Sequence, residues 1–360
     1  MNTLVMDRRE LQILANCVYR GDTRYLHVSY PFFDLDLFTL DIRRPELKDI
    51  VPFEDFDRER MQRKPVDRGV SADELPTYND LKTCLLTSGF VKYRNQAEAA
   101  RQLLELRDSS RDPNKRPRPV FVAVDTNILY YRFLSRNMPL RDPGSGRQVE
   151  ATDFRYVLSE IVQVEVDSRI THKYSRGEIE ALGQLFAHKE LLPEFRNGSG
   201  RRERLAKLAF NEMNYLMAEL RALRIKGKAV RGKERNDIEI AQSYGSWAKE
   251  GDYDVLLLTA DEDMMNHART SELMSLQLDY PHEVPRHGRI DPWSVSDLLY
   301  DLAVTFGAVS VANAGLTLLG EWAGKNSGDY GRERVKVMFE DARVHAEAER
   351  QQALCRQILS

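Results

Sequence analysis

The 360-residue sequence predicts an α/β fold with a central parallel sheet, set between an N-terminal α+β domain and a C-terminal extension of helix, β-hairpin and helix. Three observations carry this. VFVAVD, from Val120 to Asp125, and DVLLLTAD, from Asp254 to Asp261, are short and nearly continuous apolar runs, the pattern of strands buried on both faces of a parallel sheet. Helical spacing follows the first run in TNILYYRFLSR and precedes the second in DIEIAQSYGSWAKEG, where Gly251 is a plausible stop. Strands alternating with helices imply a parallel sheet.

Residues 1–110 open with a helical-looking stretch. They continue as RYLHVSYPFFDLDLFTLDI, whose aromatic and β-branched residues suggest strands, and end in the helix-period segment RNQAEAARQLLELRD. SSRDPNKRPRP sustains neither helix nor strand, so residues 111–118 are a linker and 119–290 the next domain. Within it, Tyr156 to Ile170 is a short strand entering a helix, Glu178 to about Leu223 is helical, and LMSLQLDYP adds a strand. Residues 291–360 contribute the helix VSDLLYDLAVTF, a hairpin of LTLLGEW and RVKVMF around GKNSGDYG, and a charged terminal helix. No internal repeat is evident.

Hydrophobic residues make up 42% and charged residues 30% of the chain, a composition of globular rather than disordered proteins. No apolar run approaches the roughly 18 residues of a membrane span, and the N-terminus lacks the basic and apolar regions of a signal peptide. A cytoplasmic location without membrane association is expected. Cys17, Cys84 and Cys355 are too dispersed for a disulfide framework or a CxxC zinc site. The seven histidines show no metal-ligand spacing, and His267 is the only one close in sequence to the acids considered next. The net charge of −3 neither demands nor excludes a polyanionic partner.

Four acids fall where this topology brings chain segments together. Asp125 and Asp261 each end a buried strand, and ligand sites in open parallel sheets form beyond the carboxyl ends of strands. Asp237 lies in RNDIEIA, where Asn236 is positioned to cap a helix with Glu239 closing a capping box. Glu165 lies mid-helix among Ile161, Val164 and Ile170, and a half-inward carboxylate needs a cation or hydrogen bonds. Caps, helix-dipole contacts and solvation explain each acid singly; Asp125, directly after VFVAV, is hardest to explain that way. Together they suit a hard divalent cation: converging carboxylates repel when empty, and Mg²⁺ or Mn²⁺ takes carboxylate and water oxygens in phosphodiester hydrolysis.

VFVAVDTNILYYRF, SEIVQVEVDSRI, RNDIEIAQSY and DVLLLTADEDM, in that order, resemble the four acidic motifs of PIN-domain nucleases over roughly residues 119–285. The resemblance implies a Rossmann-like PIN domain, a Mg²⁺ or Mn²⁺ site and endoribonuclease activity on single-stranded RNA. It implies Asp125, Glu165, Asp237 and Asp261 as catalytic metal ligands, Asp263 as an auxiliary ligand, and Thr126 and Asn127 in the family's hydroxyl and amide positions. The chain departs from compact members in the 71 residues between Glu165 and Asp237.

Part of that insertion is basic. From Arg196 to Arg235 there are 12 Lys or Arg and 4 acids, hence +8. Lys226, Lys228, Arg231, Lys233 and Arg235, interspersed with Gly227 and Gly232, suit a loop whose cations meet phosphates, although charge runs are usually solvated faces. Tyr130, Tyr131 and Phe133 fit core packing better than base stacking. Asp34, Asp36 and Asp41 read as a solvated strand face. A haloacid-dehalogenase phosphatase would need an acid two residues after Asp125, where Asn127 stands. The alternatives carried forward are a non-catalytic PIN-like scaffold binding RNA or protein, a toxin-type nuclease, and a structure-specific DNA nuclease. Single-stranded RNA is the expected partner, DNA a second, and the terminal segments are candidate surfaces for a homo-oligomer or protein partner.

Overall fold

The computed structural model describes residues 2–18, 24–63, 70–170, 172–228, 230 and 232–359, with backbone only at 233 and 359. The chain divides into two compact units. One comprises Lys92–Ile170 and Ala206–His282, the other Met1–Val91, Thr171–Leu205 and Glu283–Ser360.

The first unit holds the expected parallel sheet. Its central strand, Val120–Val124, lies between Arg155–Ser159 and Asp254–Thr259, with Leu223–Ile225 and Met274–Gln277 outermost, and every pairing is parallel. Parallel neighbours need long crossovers, which here include the helices Glu160–Asp167, Lys233–Gly251 and Glu262–Thr270. Phe121, Val122, Ala123 and Val124 are all buried, which is why this run shows no polar alternation. Helix Lys233–Gly251 buries Ile240, Ala241, Tyr244 and Ala248, one stripe at helical spacing. It ends at Gly251 as expected, but the left-handed cap residue is Asp252, at φ 52°.

The second unit is built on an eight-stranded sheet ordered Asn2–Asp7, Arg334–Phe339, Leu316–Leu319, Ala308–Val311, Tyr25–Tyr30, Leu35–Asp41, Glu46–Lys48, Gly288–Arg289, antiparallel at every pairing. The expected hairpin forms, with Leu316 opposite Phe339. Helix Ser294–Phe306 is buried from Leu298 through Phe306.

The expected boundaries do not follow this division. Residues 1–110 and 291–360 are not separate domains flanking the parallel unit, because Asn2–Asp7 pairs along its whole length with Arg334–Phe339. Helix Gln96–Ser110 belongs with the parallel unit. There Asn95 donates to the Gln277 carbonyl at 2.7 Å and accepts from the Asp279 N–H at 2.9 Å. Non-local strand pairing leaves no mark on a linear reading. The chain also opens with a strand, the helix following at Gln12–Val18. Asp41 is fully buried rather than solvated. The three cysteines are free thiols, and no described helix is long and apolar enough to cross a membrane.

Candidate functional site

In chain order the parallel sheet runs 3-2-1-4-5, so its direction of growth reverses at Val120–Val124. A crevice opens at the carboxyl ends of strands where such a reversal occurs, and Asp125 stands there. Its N–H extends the ladder to the Leu258 carbonyl at 3.0 Å. Its side chain caps helix Thr126–Tyr130 by accepting from the Thr126 N–H at 2.6 Å. Oδ2 also accepts from the Asn127 amide at 2.6 Å and the Thr259 hydroxyl at 2.7 Å.

The next strand is held in register by the same residues. Asn127 Oδ1 accepts from the Ala260 N–H and Thr259 Oγ1 from the Asp261 N–H, both at 3.0 Å. Asp261 caps helix Glu262–Thr270 through the Asp263 N–H at 3.0 Å. Asp261 is half-buried and Asp263 exposed. Being a cap uses one carboxylate oxygen and leaves the charge in place.

Glu165 falls inside helix Glu160–Asp167 as expected and is half-buried. It accepts from the Thr126 hydroxyl and the Asn236 amide. The Asn236 contact corrects the sequence reading: the helix starts at Lys233 behind Gly232, so Asn236 is internal and caps nothing. Its amide instead joins Glu165 to the incoming loop, with Oδ1 accepting from the Val230 N–H at 3.2 Å. Asp237 consequently sits beyond the first turn, half-buried. Lys226, Lys228 and Arg235 are exposed, Arg235 lying in the helix rather than in the loop; Arg231 and the Lys233 side chain lie outside the described residues. Two other cations of the basic run are structural. Arg201 is ion-paired with Asp80, and Arg204 donates to the Val304 and Ser199 carbonyls at 2.8 Å.

Asp125 is 4% exposed. Burial, only partly offset by hydrogen bonds from Thr259 and the Thr126 N–H and reinforced by the charges of Asp237 and Glu165, pushes its carboxyl up to about 7. No cation among the described residues pairs with Asp125 or Glu165. The pairwise influence brings Asp125, Glu165 and Asp237 into one electrostatic group, with Asp261 one strand over.

The oxygen-rich donor set has the chemistry of a Mg²⁺ or Mn²⁺ site. As the side chains stand, however, no three His, Cys, Asp or Glu among the described residues converge closely enough to hold a metal ion. Thr126, Asn127, Thr259 and Asn236 occupy carboxylate oxygens that a cation would share or take over.

The sequence did not reveal Thr259, Asn236 or Tyr244 as parts of this arrangement. Tyr244, fully buried, donates to the Val124 carbonyl at 2.9 Å and accepts from the Ser159 N–H at 3.0 Å. It ties the carboxyl ends of two strands together. Removing its hydroxyl would strand buried backbone groups at about 1–3 kcal/mol each. The only hint was position: Thr259 ends LLLT, and Tyr244 continues the buried helical stripe. Tyr130, Tyr131 and Phe133 follow Asp125 by one to two turns, and Phe133 is core, edge-on to Tyr93 at 5.7 Å. No protein-family model, no curated protein and no solved structure matches this chain.

Proposed function

We propose that this chain is a divalent-metal-dependent nuclease of the PIN-domain type, hydrolysing phosphodiester bonds of single-stranded RNA. The observation that carries the reading is Asp125: a buried carboxylate at the reversal of a parallel sheet, beside Glu165 and Asp237 and with no cationic partner among the described residues. Such a group costs stability, and a bound cation is the direct compensation. Asp125, Glu165, Asp237 and Asp261 are the residues that would hold Mg²⁺ or Mn²⁺, with Asp263 outside them. When bound, the ion supplies a site for activating water and for neutralising charge at the phosphate. Thr126, Asn127, Thr259 and Asn236 orient the acids, and Lys226, Lys228 and Arg235 offer charge to the substrate backbone.

A second reading, a PIN-like scaffold that binds RNA without cleaving it, is favoured by the hydrogen bonds already occupying the Asp125 and Glu165 oxygens. The test is purified protein on labelled single-stranded RNA and DNA in Mg²⁺, Mn²⁺ or EDTA. Cleavage of RNA that requires metal and falls by orders of magnitude in Asp125→Asn is expected, each 1.4 kcal/mol of barrier being tenfold. Retained RNA without cleavage selects the scaffold. Undiminished cleavage by a folded Asp125→Asn protein removes these acids from the chemistry.

A further inference from the structure

Tyr131 and Tyr280 lie at the same edge of the sheet as the acids. The Tyr131 N–H bonds to the Asn127 carbonyl at 3.0 Å, one turn beyond the amide that grips Asp125. Tyr280 follows strand Met274–Gln277, and the Leu278 N–H donates to the Thr259 carbonyl at 2.8 Å, so the segment carrying Tyr280 runs on beside Thr259 and Asp261. The two rings stack, with centroids 5.0 Å apart and planes 28° from parallel. Both residues are partly exposed, unlike Phe133 and Tyr93 of the adjoining core. The charges of Asp261 and Asp125 reach Tyr131, adding to burial in pushing its hydroxyl up.

The pair keeps part of its surface in water, at the sheet edge that carries Asp125 and Asp261. Those acids disfavour a phosphate on the pair. They place no such penalty on an uncharged base, and a base finds a flat surface there worth extending. We propose that Tyr131 and Tyr280 form a stacking shelf for one unpaired nucleobase of the substrate, beside the acidic crevice. The shelf rests on the nuclease or scaffold reading above and sharpens it: a base held in a duplex cannot reach the pair, so strands with free bases are selected by stacking.

The experiment measures binding of short labelled RNAs by fluorescence anisotropy in the Asp125→Asn background, where cleavage does not intrude. Tyr280→Leu, which keeps apolar bulk but removes the ring, should weaken binding about tenfold, equivalent to 1.4 kcal/mol, and Tyr280→Phe should stay within about twofold. RNAs carrying one abasic position, scanned along the strand, should identify one site whose loss weakens binding by a similar factor to unsubstituted Tyr280. At that site Tyr280→Leu should add little. The abasic scan needs no change at Tyr280, so it decides the matter even where Tyr280→Leu fails to fold. A flat scan, or equal binding by Tyr280→Leu and Tyr280→Phe, overturns the shelf while leaving the nuclease reading standing. Failure to bind any single-stranded RNA or DNA removes both.

Discussion

Asp41 and Asp125 are both buried at the end of a β-strand, and their surroundings differ in every other respect. In the antiparallel unit, the Arg24 guanidinium grips Asp41 with bonds of 2.9 and 2.7 Å, and the N–H groups of Arg43 and Arg44 add two more. That arrangement holds the Asp41 carboxyl down to about 2. Asp80 in the same unit is likewise clasped by Arg201, at 2.6 Å to Oδ1 and 3.1 Å to Oδ2. In the parallel unit Asp125 has hydroxyl, amide and peptide donors but carboxylate neighbours, and rises to about 7. Burial penalises the ionised form in either place. At Asp41 and Asp80 a guanidinium answers the charge, which makes those two acids structural. At Asp125 no cation among the described residues answers it, a cost that is understandable where a cation or substrate completes the site.

This difference gives opposite signs on substitution. Asp80→Asn leaves the Arg201 guanidinium buried without its carboxylate and weakens the bond from the Thr77 N–H at 2.6 Å. The expected loss is about 3–5 kcal/mol, read by denaturant unfolding and indifferent to divalent ions. Asp125→Asn should instead stabilise the metal-free protein at pH 8, by up to roughly 4 kcal/mol for a carboxyl raised from 3.8 to about 7. The sign follows from linkage. With its folded pKa raised, Asp125 contributes stability that is fully present below the unfolded value near 3.8. That contribution is lost as pH rises through about 7. The gain from Asp125→Asn should therefore fade from pH 8 toward pH 4. Equal destabilisation by both variants at pH 8 would erase the distinction between the two regions.

The same contrast explains what was legible in the sequence. The strands Val120–Val124 and Asp254–Thr259 showed themselves because burial on both faces leaves an unbroken apolar run. Asp125, Glu165 and Asp261 stood out as charges attached to those runs or to an apolar helix face. Asn236 was misread because its type and its spacing to Glu239 suit a cap, whereas the helix begins one turn earlier at Lys233. Propensity could not register the Glu165 partner 71 positions away. Asp41 looked solvated because strand alternation places it correctly only when the neighbouring strand supplies Arg24, which is a tertiary fact. The sheet joining Asn2–Asp7 to Arg334–Phe339 is more non-local still.

A smaller effect separates caps from ligands. Mg²⁺ or Mn²⁺ should raise the melting temperature of the parent, by the equivalent of about 2.7 kcal/mol when the ion stands at a hundred times its Kd. Asp237→Asn and Asp261→Asn should lose most of that shift and be no less stable in EDTA, apart from the modest cap contribution of Asp261. Asp41→Asn should leave the shift intact, since its partner is a fixed guanidinium. If Asp237→Asn and Asp261→Asn respond to metal as the parent does, the parallel unit's acids are as structural as those of the antiparallel one.

The smallest expected effect concerns substrate rather than chemistry. Lys226 and Lys228 are exposed and follow directly on strand Leu223–Ile225. Because the sheet is parallel, they emerge at the edge where Asp125 and Asp261 lie, two strand spacings or about 10 Å from the central strand. Gly227 between them lies against Ile161, where an added Cβ would come within 2.7 Å, so the backbone carrying both lysines is held close to helix Glu160–Asp167. Cations at that place can meet phosphates flanking the acids while touching none of the reacting atoms. Replacing both by Gln should weaken RNA binding similarly across sequences and flatten log affinity against log salt by about 0.7 per lost contact. Turnover at saturating RNA should change far less than affinity. A salt titration in Ca²⁺, with Asp125→Asn as the non-cleaving control, makes the measurement. Parental affinity and slope in the double variant would make these lysines a solvated face and direct the search for the backbone track to other cations.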